Sequence, residues 1–183
     1  YENGQRQSEQ EYKNGELDGD FEEWYEDGQK KTEKIYKNGK LDRAGVSTEW
    51  YDNGQKEIEK IYKNGKRVAW IEWHYNGYMY SKREYKNDKL VAWTEWFDNG
   101  QKNYEETYKN GAKHGVRTSW FGSGKKESEL EYKNDKRDGP ASYWDWPGDQ
   151  KRSEGTFKNG EQDGVWTYWH DNGQKRSEGT FKN

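Results

Sequence analysis

Turn signals recur along this chain at a near-constant spacing, and no other feature limits its fold so strongly. In the stretch from Trp50 to Lys66, Asn53-Gly54 and Asn64-Gly65 stand eleven residues apart. The second signal returns at Asn14, Asn38, Asn64, Asn87, Asn110, Asn134, Asn159 and Asn183, with steps of 23 to 26 residues. Each of these Asn residues follows a Lys, and each Lys follows an aromatic, from Tyr12 and Tyr36 through Phe157 and Phe181. The first signal returns at Asn3-Gly4, Asp27-Gly28, Asn53-Gly54, Asn76-Gly77, Asn99-Gly100, Ser123-Gly124, Gly148-Asp149 and Asn172-Gly173. The distance from first to second signal is always eleven, whereas the return varies between 12 and 15. A period of this size marks a repeat array.

Turns this frequent leave no room for helices, and β-branched and aromatic residues fill the intervals, so each repeat reads as a β-hairpin. Strand A shows alternation such as Val46-x-Thr48-x-Trp50, and strand B ends in text such as Tyr62-Lys63. The fold class is all-β: an elongated, twisted antiparallel meander of ~24-residue β-hairpin repeats in a single-layer sheet. Eight B strands and seven A strands, fifteen in all, are expected over residues 1–183, as one array of about seven and a half hairpins. The chain starts and stops inside a repeat, at Tyr1-Glu-Asn-Gly4 and Phe181-Lys-Asn183, as a segment of a longer protein would. The variable residues are expected in the second loop, as in Leu41 to Gly45, or in a bulge near Asp145.

A one-residue slip inverts every side chain on a strand, so the turn type decides the faces. A two-residue loop at Asn53-Gly54 separates Trp from Tyr. A three-residue loop, Asp52-Asn53-Gly54 with Gly54 at a G1 bulge, pairs Tyr51 with Gln55 and Trp50 with Lys56. Thr48 then meets Ile58, Tyr62 joins the Trp50 face, and the Glu59 and Lys63 pairs take the other. The second reading is preferred because it makes one amphipathic sheet. With a four-residue second loop, Lys63 to Lys66, it predicts a ladder. Trp24, Trp50, Trp73, Trp96, Trp120, Trp144 and Trp169 alternate with Lys30, Lys56, Met79, Lys102, Lys126, Lys151 and Lys175. Lysine stems would then cover the indoles while their ammonium groups stay wet.

Such stacking accounts for how so polar a chain folds. Only 27% of the residues are hydrophobic and 37% are charged, but 17% are aromatic. A net charge of −3 with both signs interspersed gives no electrostatic case for nucleic acid or an anionic membrane. The absence of cysteine excludes disulfides and thiolate metal sites. No apolar run reaches transmembrane length, so no integral membrane segment is expected.

The text Gly164-Val-Trp-Thr-Tyr-Trp-His-Asp-Asn-Gly-Gln-Lys-Arg-Ser-Glu-Gly-Thr-Phe-Lys-Asn183 is similar to MORN-type repeats, in the bacterial variant of YwqK-family, antitoxin-like proteins. Gly111 to Gly115 also resembles the Gly-x-x-x-Gly spacing of MORN repeats. The resemblance spans the whole chain. It implies serial hairpins in an extended sheet and a scaffold or interaction module. Its antitoxin label implies neutralisation of a toxin protein. It supplies no catalytic residues.

The residues themselves offer none either. His74, His114 and His170 have no ligand cluster around them, and solvated or packing roles suffice. Glu9, Glu33, Glu59, Glu105, Glu129, Glu154 and Glu178 form one row, interrupted by Lys82, which cross-strand charge pairing explains. No catalytic, metal-binding or cofactor-binding residue is assigned, and the chain is read as non-enzymatic with no cofactor. Departures from the repeat are the better guide. Val68-Ala-Trp70 and Val91-Ala-Trp93 are near-copies that place Trp70 and Trp93 opposite Trp73 and Trp96. Tyr75, Tyr78, Met79 and Tyr80 surround an altered turn. The candidate partner-binding patch is Trp70, Tyr75, Tyr78, Tyr80, Trp93 and Phe97, and the competing reading is extra aromatic cover for two short repeats.

The function expected first is a repeat scaffold that binds a protein partner or self-associates through sheet edges. The alternatives are a surface fibre or filament subunit, an antitoxin-like neutralising protein, and a glycan-binding aromatic module. A bacterial surface or extracellular location is slightly favoured.

Overall fold

The structure, a computed structural model, describes residues 1–42 and 45–182. The chain forms two compact units, Tyr1–Asp88 and Lys89–Asn183. The described residues contain strands and turns and no helix. In the first unit the strands are β1 (Ser8–Lys13), β2 (Glu16–Trp24), β3 (Lys30–Lys37), β4 (Lys40–Leu41), β5 (Val46–Trp50), β6 (Lys56–Lys63), β7 (Lys66–Trp73) and β8 (Met79–Lys86). Each pairs antiparallel with the next, except that β3 pairs with both β4 and β5. In the second unit they are β9 (Lys89–Trp96), β10 (Lys102–Lys109), β11 (Ala112–Lys113), β12 (Gly115–Trp120), β13 (Lys126–Lys133), β14 (Lys136–Trp144), β15 (Lys151–Lys158), β16 (Glu161–Trp169) and β17 (Lys175–Phe181). The same meander order holds there, with β10 pairing both β11 and β12.

Among the described residues seventeen strands therefore replace the expected fifteen, because two A strands are broken. One break falls at His114. The other falls between Leu41 and Val46, so the extra residues follow a short strand and do not widen the Asn38-Gly39 turn. Arg43 and Ala44 of that insertion lie outside the described residues. The extra residue near Asp145 makes no bulge. Asp145 donates its N–H to Gln150 across a four-residue turn of Trp146 to Asp149, where the other repeats use three.

The two turns differ in kind. At the first, Tyr51 donates to the Gln55 carbonyl at 2.9 Å and Gly54 takes a φ of 79°, the three-residue loop with a left-handed glycine. At the second, Lys63 pairs with Lys66, so the loop is only Asn64 and Gly65, with φ values of 52° and 74°. Two consecutive positive φ angles make a type I′ turn, whose twist suits a hairpin.

Faces depend on a further irregularity that the turn reading did not contain. Trp50 pairs with Lys56, but Glu49 pairs with Ile58 and Thr48 with Glu59. Glu57 is thus an extra residue, a β-bulge. The same bulge follows the first turn of all seven hairpins, at Lys31, Glu57, Tyr80, Asn103, Glu127, Arg152 and Arg176. It overturns the expected facing. Thr48 meets Glu59, not Ile58, so Glu59 shares the face of Trp50. The register shifts again after Ile61, and Tyr62, paired with Arg67, follows Ile58 and Lys60 to the opposite face.

That opposite face holds the core. In the second unit Leu130, Ala141, Phe157 and Trp166 are buried together, with Tyr132, Tyr143 and Tyr168 packed against them. Trp166 is 2% exposed and lies directly over Gly155. In the first unit burial is thinner. Thr32, Ser47 and Ser81 are buried on that face, whereas the buried apolar residues, Ala69 and Ile71, lie with Thr48 on the Trp-bearing face.

Candidate functional site

The Trp-bearing face repeats one local arrangement. Lys30 lies 5.8 Å from the Trp50 ring, Lys56 5.5 Å from Trp73, and Lys102 5.3 Å from Trp120. Lys126 and Lys151 approach the Trp144 ring from either neighbouring strand, at 5.9 and 5.7 Å. Arg6 takes the same place over Trp24 at 5.7 Å. Each cation also binds a carboxylate three residues on: Lys30–Glu33 at 2.9 Å, Lys102–Glu105 at 2.6 Å, and Lys56–Glu59, Lys126–Glu129, Lys151–Glu154 and Lys175–Glu178 likewise. In a regular strand residues i and i+3 face opposite ways. The bulge inserts one residue between them and brings both to one side. The glutamate row is therefore paired along its own strand as well as lying beside the indoles. Hydrogen bonds to Glu22 and then Glu33 raise the Lys30 ammonium above its ordinary pKa.

The first-turn edge is held by side chains that reach to the next repeat. Tyr1, Tyr25 and Tyr51 donate their hydroxyls to the carbonyls of Trp24, Trp50 and Trp73, at 2.6 to 2.8 Å. Asn53 accepts from the Gln55 N–H and donates its amide to the Tyr75 carbonyl at 2.7 Å. Asn99 does the same from Gln101 to Gly122. One side chain thus closes its own turn and fastens it to the following one.

Within the first unit, the candidate residues Tyr75 and Tyr78 lie on the turn between β7 and β8, and Tyr80 lies at the start of β8. Tyr75 and Tyr78 are 55% and 53% exposed. Tyr75 packs edge-on to Tyr51 at 5.2 Å and donates to Asp52 at 2.7 Å, and this hydrogen bond raises its phenol pKa. Tyr80, the bulge residue, packs edge-on to His74 at 5.1 Å. Trp70 does not join them. It lies on the face opposite Trp73, half-buried between Lys60 at 4.9 Å and Arg67 at 5.2 Å. In the second unit Trp93 is half-buried edge-on to Tyr104 at 5.6 Å, and Phe97 is half-buried at the start of its turn.

Among the described residues no group of three or more His, Asp or Glu could hold a metal ion, and no helix is long and apolar enough to cross a membrane. The family model described as MORN repeat variant matches residues 1–14, 17–41, 43–64, 91–110, 113–134 and 162–183. The chain belongs to the MORN repeat variant family. MORN repeats are generally protein- or membrane-binding modules without enzymatic activity. No curated protein matches the chain. The MORN matches alternate with two stretches, residues 65–90 and 135–161, which hold the tyrosine-rich turn and the widened Trp146 turn.

Reading turns alone missed the bulge, and with it the residues that share a face with the core. It also missed Trp146, which the widened turn leaves 69% exposed, with its ring edge-on to Phe121 at 5.2 Å. A signal for this lay in the text Trp144-Asp-Trp-Pro147, which departs from every other first turn.

Proposed function

We propose that this MORN repeat chain is a non-enzymatic scaffold that binds a protein partner, and that the turn bearing Tyr75, Tyr78 and Tyr80 in the first unit is a principal contact. The observation that carries this is the exposure of three tyrosines on and beside a turn that neighbouring side chains already hold in place. Tyrosine presents a large amphipathic surface with little side-chain entropy to lose, and a pre-ordered backbone lowers the cost of association further. Trp70, Trp93 and Phe97 make smaller contributions, because each is already half-covered within its own unit.

The test compares the chain with its Tyr75→Ser/Tyr78→Ser/Tyr80→Ser variant in crosslinking capture from its own source, after circular dichroism shows both folded. A partner retained by the first and lost at least about tenfold by the second is expected, the size of a modest interface hot spot. If every captured protein binds both forms equally, the tyrosine turn is not the contact.

A further inference from the structure

A row of side chains crosses the core-side face of each unit, strand after strand. In the first unit it reads Glu23, Thr32, Glu49, Ile58, Glu72, Ser81, and in the second Glu95, Tyr104, Ser119, Ser128, Tyr143, Ser153, Tyr168, Ser177. The A-strand position is Glu or Tyr in every hairpin except one, where it is Ser119. Two small residues, Ser119 and Ser128, then stand side by side, buried, with their hydroxyls 2.7 Å apart.

The missing side chain leaves a groove of about 460 Å³ in the second unit, with Ser119, Ser128 and Leu130 on its floor. Its walls are cationic and aromatic. Arg117 stacks on Tyr104 at 5.0 Å, Arg152 on Tyr143 at 5.7 Å, and Arg137 on Phe157 at 5.2 Å. Phe121 and the exposed Trp146 close the turn end. The acids at the groove are Glu127, which accepts from Ser119 at 3.0 Å, and Asp145, 3.9 Å from Arg152. Arg117 also lies 3.4 Å from the buried Glu106, and Arg137 is hydrogen-bonded with the Tyr132 side chain.

The first unit shows what fills this position when it is occupied. Glu72 accepts from Arg83 at 2.8 Å and from the hydroxyl of Ser81, the counterpart of Ser128. Glu49 receives Lys60 at 3.3 Å and Lys34 at 3.7 Å. We infer that the Ser119 groove binds an acidic peptide segment of a partner protein, seating a glutamate side chain where four other hairpins carry their own, Glu23, Glu49, Glu72 and Glu95. A guanidinium wall holds a carboxylate with directional, charge-assisted hydrogen bonds. The volume takes two or three side chains, and Phe121 and Trp146 offer apolar surface to the residue beside the acid. This site lies in the other unit from the tyrosine turn, so the two readings fail independently.

The test is fluorescence anisotropy with a fluorescein-labelled peptide of alternating Glu and Leu, set against its Lys and Leu counterpart. The expected result is saturable binding of the acidic peptide, at least about tenfold tighter than the basic one and weakened by salt. Arg137→Gln and Arg152→Gln should each weaken it about three- to tenfold, as loss of a charged hydrogen bond does. Both side chains are exposed, so these variants keep the fold. Ser119→Glu should abolish binding by completing the row from within, with an unchanged or higher melting temperature. Equal binding of both peptides, or full binding by Ser119→Glu, overturns the inference. So does displacement of the acidic peptide by inorganic phosphate, or capture of phosphatidylserine vesicles in its place, since either assigns the groove to phosphate.

Discussion

Replacing Gly155 by Ala puts a methyl group where the indole of Trp166 lies. A Cβ built on Gly155 falls 2.3, 2.4 and 2.6 Å from Cδ2, Cε2 and Cγ of that ring. The ring cannot slide away cheaply. Phe157 stands edge-on to it at 5.0 Å, Tyr168 stacks at 6.2 Å, and its N–H donates to the Thr156 carbonyl at 3.0 Å. Overpacking of this kind costs about 1–3 kcal/mol, and more if the indole is expelled. The chain supplies its own control. Lys151 to Lys158 and Lys175 to Lys182 have identical sequences, and Gly179 is the counterpart of Gly155. A Cβ on Gly179 meets nothing nearer than a Phe181 ring atom at 3.9 Å. Neither glycine uses a left-handed φ, so Ala brings no backbone strain at either site. Gly179→Ala should therefore be neutral or stabilising by up to about 1 kcal/mol, through the unfolded state. Urea unfolding followed by tryptophan fluorescence reads both, the midpoint shifting at constant slope. Equal effects of the two substitutions would refute the packing argument, because only the neighbour differs.

Other expectations follow from the same geometry. Lys56→Met should cost less than about 1 kcal/mol in urea unfolding, since the contact is an exposed cation–π and surface ion pair and Met79 already fills the equivalent place beside Trp73. Trp146→Ser should leave stability within about 0.5 kcal/mol, because the ring is largely exposed. Burial, followed by hydrogen bonds to Glu95 and Glu106, raises the phenol pKa values of Tyr104 and Tyr108. The folded state thus favours the protonated phenols. Their stabilisation is complete below the ordinary tyrosine pKa of about 10 and is lost as pH rises above it. Tyr104→Phe/Tyr108→Phe should flatten the fall in stability between pH 9 and pH 11, and an unchanged slope would count against that cause. Deleting Glu57 should remove the bulge but leave Ile58 opposite Glu49 and Glu59 opposite Thr48, so the cross-strand NMR contacts of these pairs should persist.

Much of the candidate chemistry was visible in the text because it repeats. The spacing of Asn-Gly pairs dictates hairpins, and three residues at Asp52-Asn53-Gly54 are enough to pair Trp50 with Lys56, since turn type is local backbone chemistry. Tyr75, Tyr78 and Tyr80 were legible as departures from the pattern, and exposed aromatics at a turn need no distant partner to be exposed.

The bulge was not legible. Lys31, Glu57, Tyr80, Asn103, Glu127, Arg152 and Arg176 have no single residue type in common, because what inserts each of them is the backbone's accommodation of twist beside a tight turn. That one residue decides which face every later side chain takes. It carries Glu59 to the indoles, sends Tyr62 away from them, and builds the second unit's core from Leu130, Phe157 and Trp166. The sequence alone determines repeated hairpins and where their turns fall. Only the tertiary structure decides which side chains meet, because facing depends on register, and register on a bulge that no residue type encodes. The groove over Ser119 is the clearest case: a lone serine in the text, and a cationic cleft once its row is assembled.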